Sequence, residues 1–446
     1  MILLPTPKQL EVFEEKFVLR YDAYIVLEDG CSPLHRRQAF LFQKKIEERT
    51  GLALHLTAGK ARDGDILLRY DPQMDAQPES YAIEIGSRGV VLAGSEQGLF
   101  WAVQTFCQIL EQYGCCLPQL RLQDAPSLPY RGYYHDVTRG RVPTLHFLKQ
   151  LADKLSEYKL NQMQLYIENT YLFRDFSEVW RSDDPLTPEE IIELDDYCYE
   201  RGIELVPSIS TFSHLYQVLR TRQFSYLCEL KNSCDDPFDA WDKQDHHTID
   251  ITNPDSFPFV CRMIDEYRPL FRTRLFNLCA DETFDLGLGR SQEYCRQVGK
   301  DTAYVGFVKK LCDHLIQKGC RPMMWGDIIG KYPDLVQQLP KEMIYLNWGY
   351  SPTVKEDESR QFAQAQATFY NCPGVLSWSR LVNSVQDSYR NIRRMAEYAH
   401  RFGAVGLLNT DWGDFHHICH PTFSFPGAAI GAQFGWSEQP MEYDEL

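Results

Sequence analysis

The chain lacks the features that mark several large classes of protein. No run of Lys and Arg forms a basic stripe and the formal net charge is −16, which argues against nucleic acid as a partner. No apolar run is long enough to span a membrane, so we expect no membrane partner. The apolar start at Met1 is interrupted by Pro5 and Lys8, far short of a signal-peptide core. These absences predict a cytoplasmic protein that acts on a neutral or cationic small substrate.

Cysteine is abundant, with 14 residues, but the spacing is irregular and no CxxC pair suggests structural zinc. Because Cys115 and Cys116 are adjacent and the chain is large, we interpret the cysteines as reduced thiols, not as a disulfide framework. His416, His417 and His420 have a spacing that could contact a metal ion, but no matched set of acidic ligands accompanies them. We therefore expect neither a metal nor a cofactor.

Residues 1–125 predict a small α/β domain. Short apolar runs typical of strands begin at Ile25, Ile66, Tyr81 and Val90, with helical spacing at 34–49 and 97–113. The proline-rich stretch from 126 to 129 marks the domain boundary.

Residues 126–446 predict a (β/α)8 TIM barrel. Long amphipathic helical patterns alternate with eight short apolar segments, at 130–135, 162–167, 204–209, 275–279, 322–325, 344–346, 367–370 and 405–408. The competing fold is a doubly wound open sheet, which would need a glycine-rich phosphate loop after an early strand, and the sequence has none.

In a barrel, function is expected at the carboxyl ends of the strands. Aromatic, charged and polar residues near those positions are Asp136, Arg139, Glu168, Asn169, His214, Asp281, Glu282, Trp325, Asp327, Trp348, Tyr370, Trp378, Trp412 and Asp414. An aromatic face buries the apolar side of a pyranose while carboxylates and Arg bind its hydroxyls, so this set predicts a sugar site. Taken singly, each Trp fits a core position, His214 fits a structural histidine, and Asp327 and Asp414 fit helix caps.

The adjacent carboxylates Asp281 and Glu282 follow the apolar run 275–279. Neighbouring carboxylates repel each other, which raises the pKa of at least one of them, as a general acid near neutrality requires. An Asp-Glu dipeptide alone is common, so the pair indicates a catalytic site only together with the residues around it.

The run from Asn277 to Glu282 resembles the Asp-Glu signature of glycoside hydrolase family 20, the β-N-acetylhexosaminidases. The stretch Asp281–Thr283 with 286–290 is similar to a cytoplasmic bacterial branch of that family. Residues 131–139 are similar to its first strand, residues 185–207 to its second helix and third strand, and the first 125 residues to the small domain before its barrel.

This resemblance implies a retaining exo-β-N-acetylhexosaminidase that uses substrate-assisted catalysis on terminal GlcNAc or GalNAc. Glu282 would be the general acid and Asp281 would orient the acetamido group, with His214 supporting the acid. Arg131 and Asp414 would bind outer hydroxyls. The aromatic walls would be Trp325, Trp348, Trp378 and Trp412. Glu168, Asp327 and Tyr370 complete the expected substrate contacts.

The sequence also departs from the family pattern. Asn169 stands where the family has the Asp that partners the histidine, which leaves Glu168 as a substitute. Cys279 and Ala280 replace a Gly-Gly pair, and Ser210 replaces an acidic residue after strand three.

Three other functions stay open on the sequence. A β-glycosidase for a sugar without the acetamide would use Glu168 as nucleophile, and a sugar-binding barrel would have no turnover. A metal-dependent hydrolase would use the histidines at 416–420. The partner expected in each case is a small glycoside or oligosaccharide, and a homodimer stays open.

Overall fold

A computed structural model describes residues 1–181, 183–231, 239, 246–327, 333–439 and 441–445 of the chain. Two sheets organise it, an open one followed by a closed one. None of the helices in these ranges combines the length and the apolar character that crossing a bilayer requires.

The N-terminal part is a seven-stranded mixed sheet with two helices. Its elements are β1 (Gln9–Val18), β2 (Tyr24–Leu27), α1 (Pro33–Thr50), β3 (His55–Ala58), β4 (Ile66–Tyr70), β5 (Tyr81–Gly86), β6 (Gly89–Gly94), α2 (Gly98–Tyr113) and β7 (Cys116–Asp124). The strand order is β1-β7-β5-β6-β4-β2-β3, so β1 and β3 form the two edges.

The second part is the predicted (β/α)8 barrel, which is confirmed: its eight parallel strands close in the order β10-β11-β12-β13-β14-β15-β8-β9. The strands are β8 (Tyr130–Asp136), β9 (Gln162–Ile167), β10 (Glu204–Ile209), β11 (Leu275–Asn277), β12 (Arg321–Trp325), β13 (Ile344–Trp348), β14 (Thr368–Cys372) and β15 (Gly406–Asp411). The described helices are α3 (Leu145–Glu157), α4 (Ser177–Trp180), α5 (Pro188–Tyr199), α6 (Tyr216–Leu219), α7 (Ser256–Tyr267), α8 (Gln292–Val298), α9 (Lys300–Gln317), α10 (Asp357–Gln364), α11 (Val385–Phe402) and α12 (Phe425–Trp436).

The C-terminal helix α12 joins the two parts. Trp436 at its end is fully buried in the apolar core of the N-terminal sheet domain. Its indole N–H donates to Asp124 at 2.9 Å, and its ring lies edge-on to Trp101 at 6.5 Å. The small domain therefore packs against the helical outside of the barrel and leaves the carboxyl ends of the strands uncovered.

Two residues predicted to bind substrate lie at the other, amino-terminal end of the barrel. Arg131 is the second residue of β8 and is fully buried: it pairs with Glu79 and donates to the Lys159 carbonyl at 3.0 Å. Tyr370 is also fully buried and stacks on Tyr130 at 5.3 Å. The predictions that Arg131 and Tyr370 contact sugar are wrong, because both side chains stabilise the closed end of the barrel.

Candidate active site

The backbone between β11 and Glu282 has an unusual conformation. Cys279, Ala280 and Glu282 have φ values of 55°, 61° and 44°, in the left-handed region that disfavours side chains. Glycine adopts such φ values without strain, so it would suit positions 279 and 280. With Cys279 and Ala280 at these positions, contacts from the surrounding residues must hold the strained turn in place. The backbone carbonyls of residues 278, 279, 280 and 281 each accept one hydrogen bond. The donors are, in the same order, the Thr211 hydroxyl, the Trp325 backbone N–H, the Tyr304 hydroxyl and the Ser213 hydroxyl.

We expect Tyr304→Phe to lower the free energy of unfolding by about 1–3 kcal/mol, because the buried Ala280 carbonyl loses its 2.7 Å hydrogen bond. The activity per folded molecule falls as well, since Ala280 precedes the Asp-Glu pair. Denaturant unfolding and steady-state kinetics measure the two effects. Tyr345→Phe is the matched control, because the buried Tyr345 hydroxyl has no hydrogen-bond partner in the described residues. Equal results for both variants would contradict this role of Tyr304.

His214 connects the carboxylates to the opposite side of the site. Its Nε2 lies 3.6 Å from Asp281 Oδ2 and 3.3 Å from Glu282 Oε2, and its Nδ1 lies 3.4 Å from Arg139 Nη2. Burial lowers the pKa of His214, but the charge of Asp281 and hydrogen bonds to both carboxylates outweigh burial and raise the pKa to about 10. The histidine therefore keeps a proton on Nε2 and donates toward the pair.

Asp327, just after β12, is a third carboxyl beside the pair. Its Oδ2 accepts the Glu282 backbone N–H at 3.5 Å, and its Oδ1 is buried with no hydrogen bond in the described part of the chain. Burial first, then the charges of Asp281 and Glu282, raise the pKa of Asp327 to about 7. Asp327 therefore holds a proton up to about neutrality, beside Asp281 and Glu282.

We expect the basic limb of the kcat/KM profile to have an apparent pKa near 7, set by loss of the proton that Asp327 holds. Asp327→Asn removes this titrating group, so the limb near pH 7 should disappear. Kinetics from pH 4 to 9 measure the change. A profile that Asp327→Asn leaves in place would contradict the role of the Asp327 proton.

A guanidinium clamp faces the pair across His214. Arg139, three residues beyond β8, donates to Glu168 at 3.0 Å and to Asp414 at 2.7 Å. Its guanidinium lies 5.2 Å from the ring of Tyr166 and 5.4 Å from the ring of Trp412. Burial raises the pKa of Glu168, and the nearby Arg139 cation opposes this.

Trp348, Tyr350, Trp378 and Trp412 form an aromatic wall, the third side of the candidate site. Tyr350 stacks on Trp348 at 5.2 Å and meets the edge of Trp378 at 5.2 Å. The indole N–H of Trp412 donates to the Tyr350 hydroxyl at 2.8 Å. Trp325 is fully buried 5.5 Å from Trp412, so it supports the wall from below.

The structure thus brings most of the predicted site residues together. It also places Tyr350 in this cluster, and it places Arg139 there where the sequence-based assignment had Arg131. The sequence signal for Arg139 is its position just beyond the first barrel strand. Asn169 does not bond to His214 in any described contact; its amide donates to Asp183 at 3.3 Å. The carboxylate close to His214 at the end of this strand is Glu168, and the His214 charge lowers the pKa of Glu168.

Within the described ranges, His214, Asp281 and Glu282 form the one group of three potential metal ligands. Because Nε2 of His214 carries a proton toward the carboxylates, it offers no lone pair to a cation there. The buried His417 instead bonds to the Asp136 carbonyl at 2.8 Å. The geometry favours a proton-transfer site over a metal centre.

Comparisons with known proteins agree with this geometry. The family model described as "Glycosyl hydrolase family 20, domain 2" matches residues 1–125, and the one described as "Glycosyl hydrolase family 20, catalytic domain" matches residues 128–374. A lacto-N-biosidase of Bifidobacterium bifidum is 26% identical over 81% of this chain and 31% of its own length. A beta-hexosaminidase of Vibrio furnissii is 25% identical over 71% of this chain and 54% of its own length. The chain thus spans about a third of the length of the first relative and about half of the length of the second.

Solved structures share the fold at lower identity. The β-N-acetylhexosaminidase of Streptomyces coelicolor has a TM-score of 0.80 at 18% identity, covering 99% of this chain and 92% of its own. An exo β-N-acetylglucosaminidase of Vibrio harveyi, solved with N-acetylglucosamine, has a TM-score of 0.78 at 17% identity, covering 99% and 75%. With the catalytic-domain match extending over more than half of the residues, the chain belongs to glycosyl hydrolase family 20.

Proposed function

We propose that the protein is a retaining exo-β-N-acetylhexosaminidase that removes terminal β-linked N-acetylhexosamine by substrate-assisted catalysis. The observation that carries this proposal is Asp281 Oδ1, which is buried beside Glu282 with no hydrogen-bond partner among the described residues. A buried carboxylate oxygen is costly unless a donor reaches it, and the acetamide N–H of a bound sugar supplies one.

The catalytic steps follow from the pair and its neighbours. Glu282 gives its proton to the glycosidic oxygen while the acetamide oxygen of the sugar attacks the anomeric carbon, and the bond to the leaving group breaks. Asp281 accepts the acetamide N–H and stabilises the positive oxazolinium ring. Glu282, now ionised, takes a proton from water. The water oxygen attacks the anomeric carbon, which opens the oxazolinium ring and restores the β configuration of the sugar. The His214 cation stabilises the ionised Glu282 between the two steps.

The remaining groups position the sugar. Arg139 and Asp414 bind hydroxyls remote from the scissile bond, because the clamp lies across His214 from Glu282. Trp412, Tyr350 and Trp348 enclose the acetamido group and exclude water from it. These contacts hold the acetamide oxygen close to the anomeric carbon. The acetamide oxygen thereby takes the place of a protein nucleophile.

The geometry does not favour Glu168 as nucleophile in a reaction on plain glycosides. Its Oε1 already accepts hydrogen bonds from Arg139 at 3.0 Å and from the Tyr166 hydroxyl at 2.9 Å. Both donors withdraw electron density from Glu168 Oε1, which makes this oxygen a weaker nucleophile toward the anomeric carbon.

A thiazoline derived from N-acetylglucosamine tests the proposal, because its fused ring mimics the oxazolinium. We expect competitive inhibition at least 100-fold tighter than inhibition by N-acetylglucosamine itself, as intermediate-like ligands bind more tightly than product. Asp281→Asn should remove most of this difference. Inhibition no tighter than that by N-acetylglucosamine would overturn the substrate-assisted mechanism.

We further propose a cytoplasmic location and a homodimer. The described cysteines are free thiols, in keeping with a reducing compartment. Apolar side chains in the loops after β14 and β15 are exposed, with Leu381 at 70%, Val382 at 61% and Ile418 at 51%, and they support an interface at the rim. Light scattering on the purified protein tests the dimer, and a monomeric mass would exclude it.

A further inference from the structure

Two buried carboxylates join the loop of the Asp-Glu pair to the loop of His214. Asp285 belongs to the segment between β11 and α8, which we call the Asp-Glu loop. Glu229 belongs to the segment between β10 and α7, which we call the His214 loop. Both side chains are fully buried. Because a buried carboxylate is costly unless donors reach it, the partners of these two residues show what they hold in place.

Asp285 bonds to the His214 loop. Its Oδ2 accepts the backbone N–H groups of His247 at 2.7 Å and of Thr248 at 3.3 Å. Its Oδ1 lies 2.7 Å from His246 Nδ1. Hydrogen bonds to a carboxylate are about twice as strong as bonds between neutral groups. Asp285 therefore fixes residues 246–248 relative to the Asp-Glu loop.

Glu229 forms the reciprocal contact with the Asp-Glu loop. Its Oε1 accepts the backbone N–H groups of Gly289 at 2.8 Å and of Ser291 at 3.0 Å. The Arg290 N–H donates to the Glu229 carbonyl at 2.9 Å. A β-carbon at position 289 would lie 2.0 Å from that carbonyl oxygen, so glycine is needed for this close approach. We call the contacts of Asp285 and Glu229 together the loop clasp.

The loop clasp reaches His214 through the backbone of the segment that it binds. The carbonyl of His247 accepts the N–H of Leu215, the residue after His214, at 3.2 Å. The N–H of Ile249 donates to the carbonyl of Phe212, two residues before His214, at 2.9 Å. The turn that presents His214 is therefore held on both sides by a segment that is itself fixed to the Asp-Glu loop.

Both loops need such support, because their backbones are strained. His214 and His247 have φ values of 53° and 78°, and Glu282 has a φ of 44°. Side chains disfavour this left-handed region, and residues persist in it only where the surrounding structure holds them there. The distance of 3.3 Å between His214 Nε2 and Glu282 Oε2 therefore depends on contacts outside the site itself.

We propose that Asp285 and Glu229 are positioning residues, which hold His214 at the distance from Glu282 that the reaction needs. In that reaction the His214 cation stabilises Glu282 once Glu282 has given up its proton, so a longer separation slows the chemical step. The guanidinium clamp and the aromatic wall belong to other loops, so substrate binding changes little. The proposal rests on the function proposed above and adds to it two residues that act through the backbone.

Asp285→Asn tests the proposal, because it keeps the shape of the side chain and removes the charge that binds the His214 loop. On an alkyl β-N-acetylglucosaminide we expect kcat per folded molecule to fall about tenfold, while KM changes less than about twofold. Added to His214→Ala, the same substitution should lower kcat less than about twofold, since the distance that it disturbs no longer matters. Glu229→Gln breaks the other half of the loop clasp and carries the same expectations if Asp285→Asn does not fold.

Asp250→Asn is the matched control, because Asp250 is a buried carboxylate of the same loop that accepts the N–H of the nearby Thr252 at 2.9 Å and its hydroxyl at 2.6 Å. It should leave kcat per folded molecule within about twofold. An unchanged kcat in Asp285→Asn, or an equal fall with and without His214, would overturn the positioning role and leave the proposed function standing. No turnover by the unchanged protein would overturn the proposed function, and the positioning role with it.

Discussion

Glu282→Gln should lower kcat/KM for an alkyl β-N-acetylglucosaminide by about 10²–10⁴-fold, the usual contribution of a general acid. The amide keeps the shape of the side chain and its place beside His214 but has no proton to give to a poor leaving group. For a dinitrophenyl glycoside, whose leaving group departs without a proton, we expect a much smaller loss. Steady-state kinetics with both substrates measure the difference.

Glu293→Gln is the control for that comparison, because Glu293 is an exposed residue of α8 that pairs with Arg296. It should leave both rates within twofold of those of the unchanged protein. Equal losses on the two substrates in Glu282→Gln would assign proton donation to another group, and Asp327, whose pKa burial and the neighbouring charges raise to about 7, would be the first to test.

Arg139→Ala should have the second largest effect, on stability and on catalysis together. Removing one partner of a fully buried charge cluster costs about 3–5 kcal/mol, and we expect a loss below that range here, because Glu168 and Asp414 lose their cation but are partly exposed. Arg139→Lys restores the charge but not the fork that reaches both carboxylates, so it should recover more stability than activity. Denaturant unfolding and kcat/KM of the folded fraction separate the two effects.

Arg131→Lys provides the contrasting variant. Arg131 is also buried and ion-paired, but it lies at the amino-terminal end of the barrel with Glu79 and Trp436. We expect it to lower stability while kcat/KM of the folded fraction stays unchanged. A loss of kcat/KM in Arg131→Lys similar to that in Arg139→Lys would contradict the placement of the sugar at the clamp.

The barrel could be predicted because its parallel strands are buried on both faces, so each strand is a short apolar run in the sequence. The strands at 162–167 and 204–209 have the predicted bounds, and β15 extends three residues further, to Asp411. In the sheet domain, the missed strands β1 and β3 lie at the two edges and bury few side chains, so their sequences carry little apolar pattern. The missed β7 contains Pro118, which weakens a strand prediction.

The position of a candidate site residue could be predicted wherever the residue follows a strand end closely, as Asp281, Glu282, Asp327 and Asp414 do. The assignment of Arg131 instead of Arg139 failed because both are arginines of the same short stretch, and only the direction of β8 separates the two ends of the barrel. Tyr350 was missed because its importance depends on packing against Trp348 and Trp412, which no spacing along the chain reveals.

In the proposed reaction, the acetamide of the substrate replaces a protein nucleophile. The most direct test compares hydrolysis of an aryl β-N-acetylglucosaminide with that of the matching aryl β-glucoside, for the unchanged protein and for Glu282→Gln. We expect turnover of the acetamido sugar alone, with the rate reduced in Glu282→Gln. Equal turnover of the plain glucoside would contradict it and would make Glu168 the nucleophile to test.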